Sequence, residues 1–271
     1  MQITSAMKMV SAAKLKKAQD AITAMRPYAN KLTELLQNLS ANLDLDDGSK
    51  YAEARTVNKV LVVSISSNRG LCGAFNSNIV KQSVFLAEEE FGNRQVDFIT
   101  IGKKANDLLQ KRYTVIANHN EIFDNLTFED VSEIASHLMQ LFNEGSYDQI
   151  LLVYNRFKNA ATQIVTTEQF LPIQPLAETA QQSVGDYIYE PSEAEIVEQL
   201  IPKSLKTQLF KAIRDSFASE HGARMTAMHK ATDNASELKD QLTLTYNKAR
   251  QAAITNEILE IVGGAEALAS D

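Results

Sequence analysis

The sequence predicts an α/β fold in which a Rossmann-like domain is inserted between two terminal helices that form a long antiparallel coiled coil. The first observation is the segment from Ser204 to Val262, which holds no proline and, at Gly222, a single glycine. A helix of that length would run roughly 85–90 Å, more than a compact domain of this size can bury. The second is the absence of glycine from residues 3–43. The third is an alternation of strand-like and helix-like runs between them.

The predicted C-terminal helix carries a stripe of mainly small residues at coiled-coil spacing. Its members follow one another at alternating steps of four and three residues: Ala231, Ala235, Leu238, Leu242, Thr245, Ala249, Ala252, Asn256 and Leu259. That 3.5-residue period is typical of a left-handed coiled coil, although an ordinary amphipathic core helix gives a similar pattern. The length of the helix favours the coiled coil, and we expect the N-terminal helix to be its partner.

The N-terminal helix shows a second stripe with the same spacing. It is clearest at Tyr28, Leu32, Leu35, Leu39 and Asn42, and it is small and mixed upstream, at Val10, Ala13, Ala18, Ala21 and Ala24. Pro27 lies inside this pattern, and an interior proline removes one helical hydrogen bond. Because the periodicity on both sides is compatible, we expect one helix that bends at Pro27 rather than two helices that meet there.

The central part of the chain predicts a mainly parallel sheet with helices between its strands. β-Branched runs predict strands, and apolar residues on one side predict helices. The strands are Lys59–Ser66, Val96–Ile101, Val115–Ala117, Gln149–Tyr154 and Gln163–Leu171, and the helices are Asn76–Phe91, the segment from Gly102 to Lys111, and Asp130–Phe142. The predicted division is therefore a helix over 1–45, an α/β domain over 56–190 and a helix over 192–269.

Composition and charge favour an intracellular protein that does not span a membrane. The longest uncharged apolar run, Val60 to Ile65, is too short to cross a bilayer, and one cysteine permits no intrachain disulfide. The net charge of −7 is unevenly distributed along the chain. Residues 1–31 hold six basic side chains and one acidic side chain, a net charge of +5, so the rest of the chain carries −12. Nucleic acid is disfavoured as a partner, since the pI is near 5.3 and no aromatic residues interleave these lysines.

No catalytic, metal or cofactor site emerges from the residues. The glycine-rich stretch Ser66–Ala74 leaves the first strand and enters a helix, a place where such loops cradle phosphates. Neither dinucleotide-binding nor P-loop spacing is present, and Gly102-Lys103-Lys104 is only a fragment of the latter. His221 and His229 lie eight residues apart without a third ligand in a plausible position. We therefore expect no cofactor and no chemistry carried by this chain.

Several motifs, in order along essentially the whole chain, closely resemble the gamma subunit of bacterial F-type ATP synthase. They are Gln2–Leu15, Arg69–Gly73, Ser219–Met228, Ala231–Ala235, Tyr246–Ile258 and Val262–Ala265. The resemblance implies a non-catalytic central rotor shaft that couples proton-driven rotation of a membrane c-ring to ATP synthesis or hydrolysis on beta subunits. It implies three alpha and three beta subunits, an epsilon subunit and the c-ring as partners. It also implies a peripheral position on the cytoplasmic face of the bacterial inner membrane.

The same resemblance implies the residues that contact the surrounding ring. They are Met7, Lys8, Lys14, Lys16, Lys17, Arg69, Arg224, Arg250, Gln251 and Thr255. None of the four in the C-terminal helix belongs to the stripe described above, so each is expected to point outward. The lysines spread over more than one helix face, which suits a charged bearing surface that meets successive carboxylates. Solubility of a long helix is the alternative explanation for these charges.

Two departures from the family pattern affect these expectations. Family members usually begin further upstream of the stretch that starts at Gln2, so this chain is expected to have a shorter N-terminal helix. The β1 loop has Asn68 where the family usually has Asp, which removes any ion pair from that position.

Two other functional classes stay open from the residues alone. One is a nucleotide-binding enzyme with a coiled-coil appendage, which titration of the chain with ATP or NAD would detect. The other is a coiled-coil tether or nucleic-acid adaptor, which would bind duplexes with a strong salt dependence.

Overall fold

The computed structural model describes residues 2–42, 50–51, 55–173 and 193–269. Two long helices enclose an α/β domain in the chain order that the sequence predicts. The helices are α1 (Gln2–Asn42), α2 (Phe75–Phe85), α3 (Lys103–Leu109), α4 (Phe128–Asn143) and α5 (Glu193–Ala269), and the strands are β1 (Lys59–Ile65), β2 (Gln95–Ile101), β3 (Val115–Asn118), β4 (Gln149–Phe157) and β5 (Gln163–Leu171). A π-helical turn, Leu86–Glu90, follows α2, and a short 3-10 turn, Glu121–Phe123, precedes α4.

The five strands form one sheet in the order β3-β2-β1-β4-β5. The first four are parallel to their neighbours, and β5 runs antiparallel to β4. β1 lies at the centre with six of its seven residues buried, because helices cover both faces of the sheet. The prediction of a mainly parallel sheet is confirmed.

The two faces of the sheet have separate cores. On one face, α4 and the first part of α5 pack against the strands through residues such as Leu138, Phe142 and Leu209. On the other face, α2 and α3 pack through residues such as Ile79 and Leu109. α5 is therefore a structural layer of the α/β domain over part of its length.

Three contacts show that α1 and α5 run antiparallel. Thr4 accepts a 2.8 Å hydrogen bond from Thr232, Arg26 lies 3.6 Å from Asp215, and the Lys203 ammonium lies 6.0 Å from the centre of the Tyr28 ring. As the residue number increases along α1, the residue number of the contacting residue on α5 decreases. The antiparallel pairing is confirmed, and each helix is continuous through its proline, Pro27 and Pro202 respectively.

The predicted stripe on α1 is only partly right, because Ala18 and Leu32 are buried and four of its other members are exposed. The buried positions that pack toward α5 and β4 are Ser11, Leu15, Ala18, Ile22, Ala29 and Leu32, whereas Val10, Ala13, Ala24 and Tyr28 are exposed. The larger aliphatic side chains of Leu15 and Ile22 determine which face of α1 is buried, since they bury more apolar area than alanines do. Leu35, Leu39 and Asn42 lie outside the residues whose side chains the structure describes.

Most of the α5 stripe extends beyond the part of α1 that the structure describes. α1 begins opposite Thr232, so it covers α5 upstream of that residue rather than downstream. Leu238, Leu242 and Leu259 are 55%, 59% and 63% exposed. Every residue of α5 from 237 to 265 is exposed, and we call this segment the bare shaft. At 1.5 Å per residue it extends about 43 Å.

Among the described residues, no helix combines the length and the apolar character needed to cross a lipid bilayer.

Candidate functional site

The β1 loop, Ser66–Ala74, lies at the carboxyl edge of the sheet, where doubly wound folds bind ligands. Its oxygens satisfy the first backbone amides of α3. The amide of Lys103 donates to Asn68 Oδ1 at 3.0 Å, that of Lys104 to the Ser67 carbonyl at 3.0 Å, and that of Ala105 to Ser66 Oγ at 2.9 Å. A helix N-terminus binds phosphate through such amides. In this protein, oxygen atoms of the β1 loop already accept hydrogen bonds from these amides.

Gly102 allows this close approach between the end of β2 and the β1 loop. Its φ is +103°, a conformation that residues with a side chain rarely adopt. A Cβ at this position would lie 2.3 Å from the Ser66 carbonyl oxygen. The glycine that resembled part of a P-loop therefore serves the junction between two loops.

α5 occupies the crevice between the carboxyl ends of β1 and β4, where the strand order reverses. Ser219 donates a 2.9 Å hydrogen bond to the Asn155 carbonyl in β4. A Cβ on Gly222 would lie 3.2 Å from the backbone of Ala160, so α5 and the β4–β5 hairpin are nearly in backbone contact. Thr226 also donates to the Ala160 carbonyl, at 3.2 Å. The place where a nucleotide would sit in a related fold is filled by this helix.

Arg224 binds α5 to the β1 loop on the opposite side of the helix. It is buried, forms an ion pair with Glu220 one turn earlier, and donates to the carbonyl oxygens of Gly70 and, at 3.4 Å, Arg69. The expectation that Arg224 points outward is wrong, because its guanidinium supplies donors to the carbonyl groups of the β1 loop. Arg224 is not a member of the apolar stripe. A residue outside the stripe can either face solvent or make a polar contact within the chain, and the stripe alone does not tell the two apart.

Glu220 brings together three residues that the sequence placed at a subunit interface. Burial raises the pKa of Glu220, and the positive charges of Arg224, Lys14 and Arg69 oppose that rise. These cations come from α5, α1 and the β1 loop respectively, so charges from three parts of the fold act on one carboxylate. Lys14 and Arg69 are exposed, and their charges also face solvent.

His221 is buried next to this cluster. Burial, with smaller contributions from Lys14 and Arg224, lowers the pKa of His221 to about 4. Its ring packs edge-on against Phe217 at 4.6 Å between ring centres, and neither ring nitrogen has a hydrogen-bond partner. The imidazole is therefore neutral near pH 7.

The other predicted interface residues lie along two helices and not in one cluster. Met7 and Lys8 are half-buried on α1, Lys16 and Lys17 are exposed there, and Arg250, Gln251 and Thr255 are exposed on the bare shaft. Arg250 is 26 residues beyond Arg224, or about 39 Å along the helix. Their role as contacts to other subunits stays a prediction.

Sequence reasoning missed Glu220 and Leu71. A signal for Glu220 was present, because glutamate four residues before arginine on a helix forms an ion pair. Leu71 lies next to the interface candidate Arg69, and its positive φ of +64° has no clear signature in the sequence. In the part of the chain that the structure describes, no three His, Cys, Asp or Glu side chains are arranged to hold a metal ion.

The comparisons with known proteins agree with this architecture. The sequence model of the ATP synthase family matches residues 1–268. The ATP synthase gamma chain of Flavobacterium johnsoniae is 70% identical over 268 residues, which cover 99% of this chain and 93% of that one. This chain belongs to the ATP synthase gamma-chain family. The gamma chain of Christiangramia forsetii is 67% identical over the same shares of the two proteins.

A solved structure extends the likeness to the fold. A chain in the structure of the central stalk and c-ring of the Tetrahymena thermophila mitochondrial ATP synthase matches this gamma chain with a TM-score of 0.63 and 26% identity. The match covers 85% of this chain and 99% of that one. The fold described above is thus the fold of an ATP synthase central-stalk protein.

Proposed function

We propose that this gamma chain is the central rotor shaft of a bacterial ATP synthase and that it performs no catalysis itself. One observation carries the proposal: α5 leaves the α/β domain and continues as the bare shaft, a helix of about 43 Å that nothing in the described chain covers. A helix with exposed leucines and isoleucines along that length requires an enclosing partner, because exposed apolar patches of this size mark interaction sites.

The enclosing partner is a ring of three alpha and three beta subunits. The α/β domain lies at the other end of the shaft, where it contacts an epsilon subunit and a membrane c-ring. Rotation of the c-ring is transmitted through α5 to the beta subunits, which make or hydrolyse ATP. The chain lies on the cytoplasmic face of the inner membrane as a peripheral part of this complex. The central-stalk relative from Tetrahymena thermophila, described together with a c-ring, supports this arrangement.

The closed carboxyl edge of the sheet supports a non-catalytic role. α5 fills the crevice between β1 and β4, and the β1 loop accepts hydrogen bonds from the first amides of α3. A nucleotide would have to displace both sets of contacts. ATP turnover by the purified chain that is lost on substitution of one of its own residues would refute this part of the proposal.

Reconstitution tests the shaft. This chain is co-expressed with alpha and beta subunits, and the recovered complex is assayed for assembly and ATP turnover. We expect Arg250→Ala and Gln251→Leu to reduce assembly or turnover while melting of the free chain stays nearly unchanged. Lys239→Ala, an exposed change at the start of the bare shaft, is the matched control. Failure of the parent chain to copurify with alpha and beta subunits would overturn the proposal.

The basic face of α1 is tested in the same complex. Charge reversal of Lys14, Lys16 and Lys17 together is expected to weaken assembly or change the rotation rate, more strongly at low ionic strength because salt screens exposed charges. The control reverses three exposed lysines of the α/β domain: Lys81, Lys103 and Lys111. If the triple reversal on α1 behaves like the parent at low salt, these lysines serve only solubility.

A further inference from the structure

The turn between β4 and β5 contacts both long helices. We call residues 157–163 the hairpin tip. The Phe157 side chain belongs to one apolar cluster with Leu15 and Ile22 of α1 and with Ala218 of α5. The hairpin tip therefore lies where the two helices pass the α/β domain together.

Hydrogen bonds within the hairpin tip make it stiff. Asn159 Oδ1 accepts hydrogen bonds from the amides of Ala161 and Thr162, at 3.0 and 2.7 Å. Gln163 Nε2 donates to the Ala160 carbonyl at 3.0 Å. Asparagine side chains that bond the backbone two residues on stabilise compact turns. The backbone of Ala160 is thus held in one place by the hairpin tip itself.

α5 has a notch that fits this backbone. Gly222 has no side chain, and a Cβ there would lie 3.2 Å from both the Cα and the carbonyl oxygen of Ala160. Thr226 donates to the same carbonyl at 3.2 Å, and Ser219 donates to the Asn155 carbonyl in β4 at 2.9 Å. Successive residues of a helix are about 100° apart, so Ser219, Gly222 and Thr226 lie on one side of α5.

α1 is joined to the hairpin tip at the same level. Arg26 donates to the Phe157 carbonyl at 3.4 Å, and the same nitrogen lies 3.6 Å from the carboxylate of Asp215. Asp215 precedes Gly222 by about two helical turns, so it lies on the same side of α5. One arginine of α1 therefore connects that helix to the hairpin tip and to α5.

Contacts on opposite sides of α5 oppose its rotation about its own axis. Arg224 is about 200° around the helix from Gly222, and it donates to the Gly70 carbonyl of the β1 loop. Opposed forces at the hairpin tip and at the β1 loop form a couple. Apolar packing alone resists rotation less, since packed helices slide past one another in small steps. Hydrogen bonds depend on direction, and they hold the helix at one angle.

We propose that the hairpin tip is the mechanical joint that transmits torque between the α/β domain and α5. This inference rests on the proposed function, since a rotor requires such a joint and a static protein does not. With the hairpin tip in the notch, rotation of the domain turns the bare shaft by the same angle. With the joint weakened, the bare shaft slips, because ATP hydrolysis in the ring turns α5 while the domain and the c-ring stay behind.

Slip is measured in the whole ATP synthase reconstituted in sealed vesicles. ATP hydrolysis pumps protons until the gradient stalls the c-ring. Hydrolysis that persists at this point, beyond the proton leak of the vesicles, is the slip rate, and hydrolysis after addition of an uncoupler is the full capacity.

The variants weaken the joint in two ways. Thr226→Val removes the hydrogen bond to Ala160 at nearly constant shape, Thr226→Ser keeps the hydroxyl, and Gly222→Val fills the notch. Thr207→Val is the matched control, because the Thr207 hydroxyl donates within α5, to the Lys203 carbonyl at 2.8 Å. Unfolding of each free chain in urea is measured in parallel.

We expect Thr226→Val to raise the slip rate about fivefold, as for the loss of one hydrogen bond, with hydrolysis after the uncoupler unchanged. Gly222→Val should raise the slip rate at least as much. Thr226→Ser and Thr207→Val should slip like the parent, although Thr207→Val and Thr226→Val lower the urea midpoint of the free chain by similar amounts.

Parent-like slip in Thr226→Val and Gly222→Val would overturn the inference and leave the rotor proposal intact. An equal rise in slip for Thr207→Val would overturn it as well, because general loosening of α5 would then be the cause. If Gly222→Val does not assemble, Thr226→Val decides alone. A parent complex that hydrolyses ATP without pumping protons would overturn both proposals.

Discussion

The two halves of α5 share one unbroken helix and differ in what stabilises them. In the enclosed segment, residues 201–228, large aliphatic side chains such as Ile201, Leu205 and Leu209 are buried against the sheet and α4. In the bare shaft, residues 237–265, every side chain is exposed. The enclosed segment is held by packing, whereas the bare shaft relies on helix propensity and on side-chain pairs one turn apart, such as Gln241 and Glu237.

This difference shows that a periodic sequence pattern does not identify its partner. The 3.5-residue stripe is most regular in the half of α5 that has no partner in the described chain. The half that packs has a broader and less regular pattern, because it contacts α1, α4 and the sheet on different sides. A regular stripe of small residues suits a helix inside a sleeve, where close approach matters more than buried area.

The largest expected difference in stability is between substitutions of two arginines, one in each half of α5. Arg224→Met should lower the free energy of unfolding of the free chain by about 3–5 kcal/mol, because it leaves the buried carboxylate of Glu220 without its ion-pair partner. Arg250→Met should change it by no more than about 0.5 kcal/mol, since Arg250 is exposed. Urea unfolding of both variants measures the contrast. Equal effects would mean that the two halves do not differ in the way described.

A pair of leucines tests packing without charge. Leu209 is fully buried, so Leu209→Ala should cost about 2–5 kcal/mol through lost burial and the cavity that remains. Leu242 is 59% exposed, and Leu242→Ala should stay within about 0.5 kcal/mol of the parent. The same urea titrations report both values. A large loss for Leu242→Ala would show that the free chain covers its bare shaft.

The buried imidazole of the enclosed segment predicts a pH dependence. The pKa of His221 is lowered from 6.5 to about 4, chiefly by burial. Between these two pH values, the unfolded chain binds a proton at His221 and the folded chain does not. The contribution of His221 to the free energy of unfolding therefore rises with pH from about 4 to 6.5 and is constant above that. The contribution is about 3 kcal/mol at most.

His221→Phe keeps the aromatic contact with Phe217 and removes the titration. The difference in unfolding free energy between the parent and this variant should increase from pH 4.5 to 6.5. The raised pKa values of Glu220 and Asp215 give slopes of the opposite sign, but both chains contain these groups, so the difference isolates His221. A difference that is independent of pH would show that the imidazole is not desolvated.

The smallest effect is local. Ala252→Gly, in the bare shaft, should destabilise the helix around it by about 1 kcal/mol and leave global unfolding unchanged. Hydrogen exchange should then be faster at amides of the bare shaft alone. Ala212→Gly is the counterpart in the enclosed segment, where the residue is 1% exposed, and it should shift the urea midpoint of the whole chain. A global shift from Ala252→Gly would contradict the separation of the two halves.

The elements of the fold were predictable because their signals are local. Lys59–Ile65 is β-branched and buried on both faces, and Gln163–Leu171 was placed with its observed bounds. The break of the helix after Phe85 into a π-helical turn was not predicted. Within this turn, Glu88 accepts a 2.6 Å hydrogen bond from Tyr113, a partner 25 residues away that no local pattern indicates.

The candidate site was less predictable for a related reason. Exposed residues of the bare shaft such as Arg250 were expected outside, where they are, because they fall off the apolar stripe. Arg224 lies upstream of Ala231, where the predicted stripe begins, and it binds a backbone carbonyl 154 residues away, which leaves no trace in the sequence. Leu71 was missed because a positive φ is set by the loop around it and not by the leucine.

The pairing of α1 with α5 has a consequence for synthesis of the chain on the ribosome. Thr4 and Thr232 are 228 residues apart, and translation adds about 5–20 residues per second, so α1 waits roughly 10–45 s for this partner. During that time Leu15, Ala18 and Ile22 have no α5 to pack against. Small residues at Ser11, Ala18 and Ala29 on the same face limit this exposure, because small side chains present little apolar area to other nascent chains. The composition of α1 thus suits the delay that its place at the start of the chain imposes.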